Sequence, residues 1–283
     1  MNPMNEQDLG GVPDEDRVPV KVAVVPCAGL GTRMLPFTRV VPKELLPLGP
    51  KPLIEHTLAE LGEARFERAI IVVRPDKALI MQHLLDPYPF PERAHSPSPI
   101  PNGLKLEFVE QDDPRGLADA LKMALPRLEG QPFLMILPDQ LLTARPGAAT
   151  QLVRNYRGQD SLTSLVNVPK EEAELFVGAR GVVVEGEGPC YQLKELLGET
   201  GVPGLSDGRY TVRAFGRSIF KADFLESIED QSDESEFSLA FTKYCSHGWH
   251  DCLHLKGRPI DVGMKIGYQY FWKHWESIHT GTL

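Results

Sequence analysis

The sequence predicts an α/β protein, a mostly parallel sheet covered by helices, and three observations predict it. Short β-branched runs alternate along the chain with stretches whose apolar residues recur at helical spacing. Two of those runs, AIIVV at 69–73 and FLMILP at 133–138, are apolar throughout, as strands covered on both faces are. At 283 residues, 42% hydrophobic and 24% charged, the chain is able to bury one large core, and one α/β domain fits the length better than two independent units.

The elements follow in order. Residues 1–19 are polar and acidic and predict a disordered leader, and residues 20–283 form the single domain. KVAVVPC at 21–27 predicts a first strand that feeds a glycine loop. PLIEHTLAELGE at 52–63 reads as a helix opened by a proline. AIIVV is a buried strand, and DKALIMQHLL at 76–85 an amphipathic helix. Six prolines between 86 and 103 exclude any regular element there, so the segment is a surface excursion. LKLEFV at 104–109 is a strand and GLADALKMALPRL at 116–128 a helix at least to Pro126. FLMILP then forms a central strand ending at Asp139, where a parallel sheet presents its chemistry. In the second half, strands are expected at 161–168, 181–185 and 209–215. Helices are expected at about 217–226 and 236–246, with a final aromatic helix at about 264–279.

Composition excludes several functions. The chain carries 30 Lys plus Arg against 39 Asp plus Glu, a net charge of −9, which opposes a nucleic-acid-binding coat. The start has no apolar core of a signal peptide, and no apolar run approaches the roughly 20 residues of a membrane span. Cys27, Cys190, Cys245 and Cys252 make no CxxC pair, which argues against a zinc site or disulfide framework and points to a reduced, cytoplasmic setting. His247, His250 and His254 lack helical HExxH and zinc-finger spacing and predict a loop and strand.

The segment VPCAGLGTRMLPFTRVVPKELLPLGPKPL at 25–53 carries the most information. Gly29 and Gly31, directly after a strand, let the backbone turn tightly and aim N–H groups at phosphate oxygens. Residues 21–54 hold five basic residues (Lys21, Arg33, Arg39, Lys43, Lys51) against the single acid Glu44, a local charge of +4. That pattern predicts a polyphosphate ligand. A Rossmann dinucleotide loop would need GxGxxG opening a helix, whereas these glycines enter a proline-broken loop.

With GLGTRMLPFT, PKELLPL and KPLI in place, the chain resembles the sugar-1-phosphate nucleotidyltransferases, and its PKELLPL run is most similar to the bacterial UTP-glucose-1-phosphate uridylyltransferases. Further matches run in the family's order to about residue 275: Gln111 with Gly116-Leu117, LPDQ at 137–140, GRY at 208–210 and KGRPIDVGMKIGY at 256–268. The resemblance implies a Rossmann-like three-layer α/β/α fold with a mixed, mostly parallel central sheet and a small sugar-binding β subregion. It implies a nucleotide half at about 20–145 and a sugar and dimerisation half at about 146–283, with a homodimer or homotetramer. The implied reaction joins UTP and glucose 1-phosphate to UDP-glucose and pyrophosphate, with Mg2+ as cofactor.

Roles follow from the same resemblance. Arg33 holds the triphosphate and leaving pyrophosphate, and Lys43 contacts the α-phosphate and the attacking sugar phosphate. Ala28, Gly29, Gly31, Thr32, Gln111 and Gly116 bind the nucleotide; Gly181, Glu195 and Lys265 bind the sugar phosphate. Asp139 and Asp261 are the magnesium ligands, although by themselves Asp139 reads as a strand-end turn residue and Asp261 as a helix N-cap. The chain departs from the family at Glu195-Leu196-Leu197, where Glu-Lys-Pro is usual, and at Arg180-Gly181, where Tyr-Gly is usual. Three readings stay open: a uridylyltransferase with rearranged sugar-phosphate contacts, an enzyme for another sugar phosphate or pyrimidine nucleotide, and a nucleotide-binding regulatory paralogue. In the tail, Tyr268, Phe271, Trp272 and Trp275 share a helical face that predicts core or subunit packing.

Overall fold

The structure, a computed structural model, describes residues 13–86, 98–176, 181–185, 190–197, 209–228 and 235–280. In chain order its elements are β1 (Val22–Pro26), the two-residue strands β2 (Pro47–Leu48) and β3 (Lys51–Pro52), α1 (Leu53–Glu63), β4 (Arg68–Val73), α2 (Ala78–Leu85), β5 (Lys105–Glu110), α3 (Leu117–Leu128) and β6 (Phe133–Ile136). There follow β7 (Gln140–Thr143), α4 (Ala148–Val153), β8 (Ser161–Pro169), β9 (Gly181–Glu185), β10 (Cys190–Leu197), β11 (Tyr210–Phe220), α5 (Asp223–Ser227), α6 (Ser235–Tyr244), β12 (His250–His254), β13 (Arg258–Asp261), α7 (Lys265–Lys273) and α8 (Trp275–His279).

Among the described residues, nine strands form the main sheet in the order β5-β4-β1-β6-β11-β8-β12-β10-β9. The β5-β4-β1-β6 block is parallel throughout. β11 runs against both its neighbours and β10 against both of its own, while β12 and β8 are parallel. Only β11 and β10 therefore oppose the common direction, which makes the sheet mixed and mostly parallel. Both faces are covered. Ala23 and Val25 of β1 face Ile54, Leu58 and Leu61 of α1 with Leu152 of α4 and Phe271 of α7 in one cluster. Val22 and Val24 face Leu121, Ala124 and Leu128 of α3 with Phe224 and Phe241 in the other. This alternation gives the three-layer α/β/α fold, and each fully buried aliphatic side chain contributes roughly 1.5–3 kcal/mol.

The periodic segments fall where expected. α1 begins after Pro52, whose fixed φ of −59° suits a helix entrance, and buries Leu53, Ile54, Leu58 and Leu61. Residues 13–19, expected within the leader, hold a 3-10 turn at Asp14–Asp16, and the Val18 amide donates to the Tyr156 carbonyl. Residues 1–12, most of the proline-rich excursion, Arg180 and Gly208 lie outside the described residues.

Three expectations are corrected. The helix expected from 217 is strand to Phe220, because Arg217 to Phe220 pair with Ile136 to Phe133, and the helix is only Asp223–Ser227. The aromatic tail is two helices broken at His274, whose Nδ1 meets the Tyr270 carbonyl at 2.8 Å. Phe271 is fully buried and Trp275 packs its ring edge-on to His56, whereas Trp272 is 47% exposed. β12 (His250–His254) falls where the histidine segment predicts a strand, whereas β7, β13 and the helix α4 have too few residues to show a period in sequence. Among the described residues no helix is long and apolar enough to cross a membrane, and Cys27, Cys245 and Cys252 are free thiols.

Among the buried charges, one lies under the end of β6. Arg217 has no exposure; its guanidinium donates to the two Glu60 carboxylate oxygens at 2.8 and 3.3 Å and to the Leu137 carbonyl at 2.9 Å. Arg217→Met is expected to lower unfolding free energy by about 3 kcal/mol, since the largely buried Glu60 loses its charged partner and keeps only the Ala149 amide. Arg68→Ala, which removes a more exposed pair with Glu107, is expected to cost about 1 kcal/mol or less. Urea denaturation of both variants checks the contrast, and equal losses would contradict it.

Candidate active site

The first wall of the site is the loop leaving β1. Gly31 has φ +69°, and a Cβ there would lie 2.9 Å from Thr38 Cγ2, so glycine is required on both conformational and steric grounds. Thr38 Oγ1 donates to the Gly31 carbonyl at 2.8 Å and closes the turn. A Cβ on Gly29 would meet no atom within 4 Å, because that face of the loop opens into the cavity.

The PKELLPL run forms a 3-10 turn, Lys43–Leu45, that sends consecutive charges in opposite directions. Glu44 turns inward to complete burial of its side chain, and both its oxygens accept from Lys77 Nζ, at 3.0 and 3.1 Å. The same ammonium donates to the Cys27 carbonyl at 2.5 Å. One buried cation thus ties the end of β1 to the 3-10 turn. Lys43 turns toward the cavity, and its Nζ lies 2.6 Å from Asp139 Oδ2.

Asp139 stands just beyond β6, and the second aspartate comes from a separate ladder. β7 and β13 pair antiparallel with Gln140 opposite Asp261, while the Val262 amide donates to the Asp139 carbonyl at 2.9 Å. Asp261 is therefore the last residue of a strand and not a helix N-cap; the cap position of α7 is Met264. Gln140 Nε2 donates to Asp261 Oδ2, and the Gly263 amide to Asp261 Oδ1, both at 3.0 Å. A Cβ on Gly263 would sit 2.8 Å from Asp139 Oδ2 and 3.3 Å from Asp261 Oδ1, so glycine keeps the space between the carboxylates open.

Electrostatics separate the two acids. Burial pushes the Asp139 carboxyl up, but the charge and hydrogen bond of Lys43 more than offset this and hold it below the ordinary range. Burial pulls Lys43 down, but Asp139 and then Glu44 more than offset it, so the ammonium stays protonated. Asp261 is pushed up to about 7 by burial and then by the Asp139 charge, against the donors Gly263 and Gln140. Burial also raises the Cys27 thiol well above its ordinary value, which leaves no thiolate nucleophile beside the loop.

These walls enclose a cavity of about 390 Å³. Ala28, Gly29, Gly31, Thr32, Arg33, Lys43, Gln111, Gly116, Asp139 and Asp261 all line it, so ten residues singled out from sequence converge on one space. Gly116, at φ +98°, opens α3. Gln111 is 2% exposed, and its Nε2 donates to Asp119 at 2.5 Å. Lys265 does not line the cavity and is exposed in the first turn of α7. Gly181 pairs with Leu197 and Glu195 with Val183 on the far edge of the sheet; the side chains of Lys194, Glu195 and Leu196 lie outside the described residues.

The amino-acid sequence did not assign roles to Gln140, Gly216, Gly263 and the inward pair Glu44–Lys77, or to Phe237 and Phe241, which also line the cavity. The glycines at 216 and 263 offered a weak signal; Lys77 offered none, being one polar member of an amphipathic run.

Among the described residues no group of three or more His, Cys, Asp or Glu side chains could hold a metal. Two hard carboxylates with a glycine-made gap between them fit a magnesium ion that draws its other ligands from phosphate and water.

The profile of the nucleotidyl transferase family matches residues 22–265. The chain is similar to the UTP–glucose-1-phosphate uridylyltransferase of Bacillus subtilis (strain 168), 28% identical over 265 residues that span 88% of each chain. It is 26% identical to the Escherichia coli (strain K12) protein of that name, over 87% of this chain and 89% of that one. A UDP-glucose pyrophosphorylase solved with UDP-glucose superposes with TM-score 0.76 at 25% identity, covering 92% of this chain and 99% of the other. A UTP-bound enzyme from Acinetobacter baumannii shares the fold at TM-score 0.76 and 22% identity, over 93% and 97% of the two chains.

The raised Asp261 carboxyl has a measurable consequence in metal-free protein. Its folded pKa of about 7 exceeds an unfolded carboxyl of about 4, so between those values the folded state holds a proton the unfolded chain has lost. This contribution to stability is complete below about pH 4 and is lost as pH rises toward about 7. Asp261→Asn is expected to gain stability relative to the parent over that window, read from urea midpoints without metal; parallel curves would show that Asp261 is not raised.

Proposed function

We propose a uridylyl transfer from UTP to glucose 1-phosphate for this chain, which belongs to the nucleotidyl transferase family. The carrying observation is Lys43 held 2.6 Å from Asp139, with Asp261 one ladder away, on the floor of a cavity whose wall is a positive-φ glycine loop. The similar proteins, a UTP–glucose-1-phosphate uridylyltransferase and a UDP-glucose pyrophosphorylase solved with UDP-glucose, support the same substrates.

In this reading a sugar-phosphate oxygen forms a bond to the α-phosphorus of UTP. The bond to the bridging oxygen breaks, and its electron pair leaves with pyrophosphate. No side chain becomes a nucleophile, so the protein's contribution is placement and charge. The amides at Gly31 and Thr32 with Arg33 hold the β- and γ-phosphates. Lys43, kept protonated by its acidic neighbours, exchanges Asp139 for the α-phosphate and the incoming phosphate, where a compact cation offsets the charge that accumulates. Asp139 and Asp261 hold magnesium, which when bound neutralises phosphate charge. Gln111, its amide nitrogen occupied by Asp119, offers its oxygen to the uracil N–H, beside the backbone at Ala28, Gly29 and Gly116. Gly181, Glu195 and Lys265 are assigned to the sugar phosphate by the family resemblance alone, since none of the three lines this cavity.

A second reading, transfer to another sugar phosphate or from another pyrimidine nucleotide, is favoured by Leu196-Leu197 and Arg180 standing where the family carries Lys-Pro and Tyr. Pyrophosphate release with magnesium, each of UTP, dTTP and CTP, and a panel of sugar 1-phosphates separates the two. UTP with glucose 1-phosphate is expected to be the fastest pair. Silence across the panel with UTP still bound would mean a regulatory nucleotide-binding protein. Asp139→Ala and Lys43→Ala are each expected to lower turnover at least about 100-fold with the fold intact. Near-normal rates would remove the residue from the site.

A further inference from the structure

Gln140 immediately follows Asp139 and is 6% exposed. Its amide is fixed from both ends. The Gly216 amide donates to Gln140 Oε1 at 2.6 Å, and Gln140 Nε2 donates to Asp261 Oδ2 at 3.0 Å. Reversing the amide would set two donors against each other at Gly216 and two oxygens against each other at Asp261, so only one orientation satisfies both partners. The first contact depends on an irregularity of the main sheet. The β11–β8 register shifts between Ala214 and Ser218, and a Cβ on Gly216 would come 2.9 Å from Gln140 Oε1, so glycine at the shift admits the side chain. The second contact depends on the small sheet, where the β7–β13 register sets Gln140 opposite Asp261.

The two contacts join into one relay from a central strand to the second carboxylate. Asp261 receives one donor on each oxygen, from Gln140 and from Gly263, and each oxygen keeps a lone-pair direction for a cation. Without the Gln140 donor, Asp261 would keep only the Gly263 amide against the repulsion of Asp139.

We infer that Gln140 is a positioning residue, which fixes the rotation of Asp261 for a divalent cation by referring it to the backbone of Gly216. This rests on the reading of Asp139 and Asp261 as the metal carboxylates. Being a neutral amide, Gln140 supplies the donor without adding a third negative charge beside two carboxylates. The inference differs from a substrate-contact role, in which Gln140 would touch nucleotide or sugar, and from a purely structural tie between β7 and β11.

Mn2+ binding followed by the electron paramagnetic resonance of the free ion, with UTP present and sugar phosphate absent, tests it. The variants are Gln140→Met, with the chain length kept and both polar groups removed, and Asp139→Asn as control. Loss of a group that orients a metal ligand typically weakens the metal about 10- to 100-fold. Gln140→Met is therefore expected to raise the Mn2+ dissociation constant by that factor, while UTP affinity in metal-free buffer stays near wild type; the thermal midpoint is expected to fall, because the buried Gly216 amide loses its acceptor. Turnover is expected to recover in part at high Mn2+. If Gln140→Met does not fold, Gln140→Asn, one methylene too short to bridge both partners, is expected to weaken Mn2+ in the same direction.

Unchanged Mn2+ affinity in the Gln140 variant, with Asp139→Asn defective, overturns the inference and leaves the metal reading in place. Unchanged affinity in both overturns the metal reading and the inference with it. Weakened UTP binding in metal-free buffer, with Mn2+ affinity intact, assigns Gln140 to the substrate and overturns positioning.

Discussion

Two carboxylates within reach of one cavity, the partly buried Asp139 and the buried Asp261, repel each other, and the arrangement of the site follows from holding them there. Left alone, either would be displaced toward solvent or protonated. The fold opposes displacement with backbone. Asp139 is fixed where β6 ends, Asp261 by the β13 ladder, and the Val262 amide closes the two segments on each other through the Asp139 carbonyl. Charge is handled unequally: Lys43 stabilises Asp139 as a carboxylate, while Asp261 has only neutral donors and is pushed toward protonation. The pair is thus one firm ligand and one whose charge depends on what else is bound.

The lysine that makes Asp139 firm needs its own support, because a mobile side chain on a proline-rich turn would be a poor point charge. Support comes from Glu44, its neighbour in sequence. A buried carboxylate and the buried ammonium of Lys77 lock the turn from below. Such a pair contributes little net stability, since desolvating two ions costs about as much as their attraction returns. What it gives is geometry, because an ammonium shared among two carboxylate oxygens and the Cys27 carbonyl admits few placements of the turn. Arg217 plays a comparable part under the strand-end loop, joining Glu60 of α1 to the Leu137 carbonyl two residues before Asp139.

Much of this was legible in the amino-acid sequence where a pattern is local. β1, β4 and β6 are continuous apolar runs because helices cover both faces, and Gly31 is glycine because its φ of +69° and the Thr38 side chain leave no alternative. Lys43 and Asp139 stood out through motif and strand-end position. Contacts that join distant segments were not legible. Nothing near Lys77 announces a partner in Glu44, and the four residues of β13 show no period that would distinguish a strand from a helix start, which is why Asp261 read as a cap. Gln140 carried no role of its own within LPDQ, since its meaning depends on a register shift in β11, some seventy-five residues away in the chain. The run after Gly216 has helical spacing of apolar residues, but pairing with β6 satisfied its backbone as strand to Phe220.

The +4 charge of residues 21–54 also takes a different meaning in three dimensions. Lys43 is engaged with Asp139, and the acid that appeared to reduce the local charge, Glu44, is neutralised by Lys77 from outside the segment. The cavity floor, counted as two carboxylates and one ammonium, carries a net charge between −1 and zero according to the proton on Asp261. A bare polyphosphate would meet little attraction there. A divalent cation on the carboxylates would displace that proton, make the floor positive and release Lys43 to phosphate. The cation and the polyanion are therefore each poor ligands alone and mutually favourable together. That coupling follows from placing one lysine, and not two, beside two aspartates at one cavity.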